Sequence, residues 1–318
     1  MRVAIGCLTV LCGLAGIKGG LAADEPPPSE ALTILHDLRY REGSSKQWRM
    51  DLAFKKNLRG KPRPVIVVIH GGGWIEGDKS SFASRKHGVP GNIEDFARLG
   101  FVATTINYRL AGEAPFLAAL EDCKCAVRWL RAHAREYHLD PKHIGAYGNS
   151  AGGHLALLLG MVGKEAKLEG EGPHQGESSL VQAVLSDSGP IDLLAQDQHG
   201  RLRRVVRQFM GGPPEGERIA LYKKASPLHQ ISRDTPPLLL LYGGADDQVP
   251  VETADQFVGA LGRAGLKDVS YHRLAYVYHC PYSLVRIASL QPVVNDFFLR
   301  TLLYPDTAQK IIRRVEAR

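Results

Sequence analysis

Residues 144–161 read Ile-Gly-Ala-Tyr-Gly-Asn-Ser-Ala-Gly-Gly-His-Leu-Ala-Leu-Leu-Leu-Gly-Met. Ile144 to Tyr147 is a short apolar run suited to a strand, and Ala151 to Met161 is an apolar helical pattern that begins directly after the serine. Strand, sharp turn and helix in that order place Ser150 on the turn, with its hydroxyl directed away from the sheet. The N–H of Ala151 is then free at a helix start. A nucleophile, its presentation and half of an oxyanion hole are suggested together. Gly-x-Ser-x-Gly also arises by chance in a chain with 34 glycines, so the weight falls on what flanks it.

Upstream, Pro64 to Ile69 is a continuous, mostly β-branched run, as expected of a strand buried on both faces. It ends in His70-Gly71-Gly72-Gly73-Trp74. Three successive glycines are costly in chain entropy, and they suit a backbone that must approach another group closely. N–H groups from such a loop, facing the serine turn, would complete an oxyanion hole with Ala151. The plainer alternative is an ordinary Gly-rich turn. His70 precedes the serine and ends a buried strand, so it reads as a structural residue holding the loop.

Downstream, Pro237 to Tyr242 is a second buried-strand run, followed by Gly243-Gly244-Ala245-Asp246-Asp247-Gln248-Val249-Pro250. A carboxylate just past the C-terminal end of a strand lies where open α/β sheets place their sites. Asp246 and Asp247 compete for that role, and the spacing to Val249-Pro250 favours Asp246. Asp247 is then expected to cap the helix that starts near Glu252. His279 follows a strand-like stretch, Val269 to Tyr276, whereas His272 lies inside it and is less able to reach a site at the sheet edge. His279 is therefore the expected base.

The order Ser150, Asp246, His279 is that of an α/β-hydrolase triad and differs from the chymotrypsin-like and subtilisin-like orders. The chain resembles α/β-hydrolase esterases of the hormone-sensitive-lipase type, and especially their secreted relatives among feruloyl and acetyl-xylan esterases. The resemblance runs from about Leu52 to Leu299. It rests on HGGGW at 70–74 with Gly77-Asp78-Lys79, on NYRL at 107–110 and on CAVRWLRAHAREYHLDPKHIGAYGNSAGGHLALL at 125–158. It continues through GPIDL at 189–193, ASPLHQIS at 225–232 and GADDQVP at 244–250. It implies an α/β fold with an eight-stranded, mostly parallel sheet and helices on both faces. It also implies Ser150, Asp246 and His279 as catalytic residues, and oxyanion donors from Gly72, Gly73 and Ala151. Two neighbours depart from the family pattern: Tyr278 and Cys280 flank His279 where glycine is common, and Tyr242-Gly243 stands where His-Gly is common.

Residues 1–23 combine Arg2, an apolar stretch from Val3 to Ile17, Lys18 and the small-residue end Gly20-Leu21-Ala22-Ala23. This is the pattern of a signal peptide, too short and wrongly flanked for a spanning helix, with cleavage expected near Ala22 or Ala23. The implied location is secreted or periplasmic, with no stable membrane insertion after cleavage. Removing Arg2 and Lys18 lowers the formal net charge of +7 by two. No basic stripe interleaved with aromatics argues for a nucleic-acid partner. Cys7 and Cys12 would leave with the leader. Cys123 and Cys125, two apart on one expected helix, do not face each other, so no disulfide is expected between them. No set of His and Cys stands at zinc-ligand spacing. The chemistry calls for no metal or organic cofactor.

Residues 24–31, with Pro26-Pro27-Pro28, read as a flexible leader. Two early strands are expected near Thr33–Tyr40 and Gln47–Phe54, and the remainder alternates strand and helix, as in a parallel sheet covered on both faces. A single α/β-hydrolase domain over 32–318 accommodates the pattern. Two irregular segments could shape a substrate pocket. One is the polar, Gly-rich 164–178. The other is 192–222, whose RLRRVVRQF at 201–209 is either a plain amphipathic surface helix or a lid whose arginines meet acidic or sugar-linked groups.

The reading is a serine hydrolase of carboxylic esters, with short acyl groups and either a simple or a carbohydrate-linked alcohol, acting through an acyl-enzyme. A small-molecule or glycan-linked ester is the partner it calls for. Amide, peptide or formamide hydrolysis on the same three residues is the alternative, and a non-catalytic binding module on the same scaffold is a third, because function resides in the pocket rather than in the fold.

Overall fold

The computed structural model describes residues 31–56, 60–198 and 201–305. The expected signal peptide, most of the leader and residues 306–318 lie outside the described residues. Ala31, assigned to the leader, already accepts a hydrogen bond from the Lys56 N–H.

Eight strands form one sheet: β1 (Leu32–Arg39), β2 (Arg49–Lys55), β3 (Arg63–Ile69), β4 (Val102–Ile106), β5 (Leu139–Asn149), β6 (Ala183–Asp187), β7 (Leu238–Gly243) and β8 (Val269–Leu274). Their spatial order is β1-β2-β4-β3-β5-β6-β7-β8. β1–β2 and β2–β4 pair antiparallel, and every other pairing is parallel. The eight-stranded, mostly parallel α/β sheet expected from the sequence is the one observed.

β3 shows why its sequence is a near-unbroken β-branched run. Val65, Val67 and Ile69 enter one apolar core, and Ile66 and Val68 enter the other. The first core is covered by α2 (Ala118–Ala132) and α3 (Ala151–Met161), and the second by α1 (Ile93–Leu99) and, later in the chain, α8 (Leu290–Phe298). Between β6 and β7 lie α4 (Leu193–Gln198), α5 (Arg203–Phe209) and α6 (Arg218–Lys224), and α7 (Val251–Arg263) joins β7 to β8. Among the described residues no helix is long and apolar enough to cross a membrane.

The topology fixes where a site can form. From β3 the chain moves outward to β4 and then returns to the other side of β3 as β5. The loops after β3 and β5 therefore diverge at adjacent strand ends, which opens a crevice at the carboxyl edge of the sheet.

The irregular segment 164–178 does not reach that crevice, contrary to the expectation that it could shape the pocket. It leads from the end of α3 back toward the start of β6, so it belongs to the opposite edge. There Lys124 and Arg128 of α2 bind Glu169, and Arg131 donates to the carbonyls of Ser178 and Leu180.

Candidate active site

β5 ends at Asn149, and Ser150 takes φ 51° and ψ −124° before α3 begins. That is a left-handed backbone for a residue with a side chain, and it costs about 1–3 kcal/mol unless its surroundings enforce it. The surroundings do so. The Ser150 N–H donates to the Asp187 carbonyl at 2.8 Å. A Cβ on Gly148 would strike the Gly152 carbonyl, and one on Gly152 would strike the Ile69 carbonyl. Both glycines of the pentapeptide are therefore required by close backbone approach.

The glycine loop is tied to this turn directly. Gly71 N–H donates to Asn149 Oδ1 at 2.8 Å. His70 is buried, stacks on Tyr108, and its Nδ1 lies 2.7 Å from the Gly71 carbonyl. It thus holds the loop, and burial pulls its imidazole pKa below the usual histidine range. Trp74, buried and at φ 59°, stacks on Phe209 of α5 and meets His154 of α3 edge-on. Gly72, Gly73 and Ala151 all line the crevice that holds Ser150. Among the described residues their N–H groups have no hydrogen-bond acceptor.

The other two expected residues arrive from β7 and from the loop after β8. His279 Nε2 lies 2.9 Å from Ser150 Oγ, and Nδ1 lies 2.7 Å from Asp246 Oδ2. Because an ionised carboxylate only accepts, the Asp246 contact places the imidazole proton on Nδ1 and leaves Nε2 free to accept from the serine. Asp246 Oδ1 accepts the N–H groups of Gln248 and Val249, each at 2.9 Å. One carboxylate thus fixes its own turn with one oxygen and the histidine with the other.

Several smaller expectations are corrected. Asp247 does not cap α7, whose preceding residue is Pro250 with no side-chain cap. Asp246 satisfies that turn, and Asp247 instead pairs with Arg201 on the surface. The α5 arginines do not enter the crevice. Arg207 grips the Asp197 carboxylate with two donors, and Arg203 Nε reaches the Asp197 carbonyl. The face turned to the crevice is apolar, made of Leu202 and Val205. His272 remains on β8, paired in register with Leu241. Cys123, Cys125 and Cys280 are free thiols.

Asp187, at the end of β6, is not among the residues that the sequence singles out. Its carboxylate binds Tyr282 and Ser283, just past His279. The signal that singles out Asp246, a carboxylate closing an apolar strand, applies to it equally. Tyr242, where the family pattern commonly has histidine, donates its hydroxyl to the Gly189 carbonyl at 2.6 Å and so serves as a structural tie.

The crevice has a volume of about 500 Å³, within the range of small-molecule sites. Apart from histidine, Glu76 is its one charged lining side chain among the described residues.

A family model described as BD-FAE matches residues 50–261, a span that contains Ser150 and Asp246 and stops before His279. Among curated proteins, Esterase LipC of Mycobacterium tuberculosis is 28% identical over 81% of this chain and 65% of its own length. The chain thus spans less than two thirds of that relative. Among solved structures, the propionate-bound thermophilic esterase Est2 of Thermogutta terrifontis superposes with a TM-score of 0.63 at 28% identity, covering 86% of this chain and 94% of that one. A bifunctional GH43-CE protein of Bacteroides eggerthii gives a TM-score of 0.72 at 26% identity, over 87% of this chain and 39% of its own.

Proposed function

The chain belongs to the BD-FAE family within the α/β-hydrolases, and from that premise we propose that it is a serine hydrolase of carboxylic esters. The observation that carries the reading is the unbroken line from Asp246 through His279 to a serine held on a strained turn.

In this mechanism His279 Nε2 takes the Ser150 proton as Oγ attacks the acyl carbon. Asp246 keeps the proton on Nδ1 and stabilises the imidazolium that forms. The N–H groups of Gly72, Gly73 and Ala151 receive the oxyanion, each donor contributing about 3 kcal/mol in sites of this kind. Collapse expels the alcohol, which takes its proton from His279. Water, activated by the same imidazole, then releases the acid and restores Ser150.

The substrate is a neutral ester with a short acyl chain. A crevice of about 500 Å³ must hold both acyl and alcohol parts, and Glu76 disfavours an anionic group on either. The propionate bound to the Thermogutta esterase favours short acyl groups, and the resemblance to feruloyl and acetyl-xylan esterases favours sugar-linked alcohols. The N-terminal 22 or 23 residues are removed on export, and the hydrolase domain begins near residue 32. A mature N-terminus at residue 23 or 24, read by mass spectrometry of the exported protein, supports this, and a retained Met1 contradicts it.

The test is hydrolysis of p-nitrophenyl esters from acetate to long acyl chains, with matched p-nitroanilides alongside. Rates are expected to fall as the chain lengthens, to stay low for the anilides, and to drop at least about 1,000-fold in Ser150→Ala. A Ser150→Ala protein that still turns over acetate at the wild-type rate rules the mechanism out.

A further inference from the structure

Asp187 has no part in the chemistry above, yet it touches both halves of the reacting pair's scaffold. It is completely buried at the end of β6. Its carboxylate accepts the Ser283 hydroxyl at 2.6 Å, the Ser283 N–H at 2.8 Å and the Tyr282 N–H at 3.2 Å. Its backbone carbonyl accepts the Ser150 N–H at 2.8 Å and the Cys280 thiol at 3.4 Å. The next residue, Ser188, accepts the Cys280 N–H on its hydroxyl at 3.1 Å. Ser188 and Cys280 both sit at positive φ, 55° and 54°, a conformation that persists only where contacts over-determine it.

We propose that Asp187 is a positioning residue: its carboxylate clamps residues 280–283 to the strand that also anchors Ser150, and so fixes His279 between Ser150 and Asp246. This rests on the reading of Ser150 and His279 as the reacting pair, but the clamp itself is a property of the unliganded protein. An ionised carboxylate accepts all three contacts at full strength, whereas a protonated one gives up one acceptor site to a donor and weakens the set. The titratable groups facing it are Tyr147 from β5, Tyr242 from β7, and His279, Cys280 and Tyr282 from the loop. None but His279 can carry a positive charge. Burial pushes the Asp187 carboxyl up to about 6, while the Ser283 and Tyr282 hydrogen bonds and the His279 charge pull it down. The clamp is therefore engaged above about pH 6 and loosens below it.

The experiment compares wild type, Asp187→Asn and Ser283→Ala by two readouts. The first is kcat and KM on p-nitrophenyl acetate across pH. Asp187→Asn places an amide N–H against backbone N–H groups, and kcat is expected to fall on the order of 100-fold with KM within about twofold. Ser283→Ala, which removes one of three contacts, should lose about fivefold. The acid limb of the wild-type profile should carry two protonations and that of Asp187→Asn one. The second readout needs no substrate: the deshielded Nδ1 proton of His279 in the ¹H NMR spectrum, which reports its bond to Asp246. It should be sharp in wild type, broadened by exchange in Ser283→Ala and lost in Asp187→Asn. An unchanged signal together with wild-type kcat in a folded Ser283→Ala or Asp187→Asn protein overturns the clamp. If wild type hydrolyses no ester, the esterase reading fails, and the NMR comparison still decides the clamp. If Asp187→Asn does not fold, Ser283→Ala decides it by both readouts.

Discussion

The two edges of the sheet solve the same problem, holding irregular chain against a packed core, by opposite means. At the amino edge, the loop after α3 is fastened by paired charge. Lys124 meets Glu169 at 2.6 Å, Arg128 meets it at 3.2 Å, and Arg131 caps loop carbonyls. Residues there with positive φ, such as Lys167 and His174, are exposed. At the carboxyl edge, Trp74, Ser188 and Cys280 adopt the same backbone while fully buried, and Asp187 is buried with no cation bonded to it. Strain and a carboxylate held by neutral donors gather where the chemistry is proposed, and ion pairing is found where the task is only to hold the fold.

The largest effect should follow from disturbing the carboxyl edge without unfolding it. In Asp246→Asn the amide oxygen can still accept the Gln248 and Val249 N–H groups, so the turn survives. The amide N–H, however, meets His279 Nδ1, which drives the imidazole proton to Nε2 and prevents it from accepting from Ser150. We expect kcat to drop about 10⁴-fold with little change in melting temperature. A modest loss of activity would mean that the carboxylate only braces the turn.

The amino edge should show the reverse. Burial raises the Glu169 carboxyl, but hydrogen bonds from Lys124 and Ser179 outweigh it and hold the group low. Burial lowers Lys124 even so, because its ammonium lies deeper. Glu169→Ala leaves two buried cations unpaired and should cost about 3–5 kcal/mol in urea unfolding, with kcat/KM within about twofold. A large fall in kcat/KM for the folded variant would erase the contrast between the edges.

A smaller, pH-dependent effect sharpens the contrast. Asp187 titrates near 6 in the folded chain, above its ordinary value of 3.8. Between those values the native state keeps a proton that the unfolded chain has released. Its stabilising contribution is therefore complete below about pH 3.8 and is lost as pH rises through about 6. The implied cost at neutral pH is on the order of 3 kcal/mol or less. The stability of wild type relative to Asp187→Asn should decline over that window and level off above it. A difference that stays flat with pH would show that Asp187 is not the buried anion of this edge.

Much of the carboxyl edge was legible in the sequence because its parts are local. The apolar run before Ser150, the glycines after Ile69 and the acid after Tyr242 each state their place through strand, turn and helix patterns. What was not legible depends on partners distant in sequence. Asp187 shows its role only when residues 282 and 283 fold back onto it, 95 and 96 positions later. The α5 arginines looked available to a ligand, and only the packed chain shows Arg207 and Arg203 engaged by Asp197. Spacing to Val249-Pro250 favours Asp246 over its neighbour, but that Asp247 pairs with Arg201 rather than capping α7 shows only in the folded chain. Composition identifies 164–178 as a loop but not the edge of the sheet it borders.

The most direct measurement of the central claim is capture of the acyl-enzyme. Wild type is quenched in acid within the first turnovers on p-nitrophenyl acetate, digested and sequenced by mass spectrometry. One acetyl group on the peptide containing Ser150, absent from Ser150→Ala and accumulating when His279 is replaced by alanine only at a greatly reduced rate, is the expected result. Wild-type hydrolysis with no adduct at Ser150, or with the adduct on another residue, would contradict it.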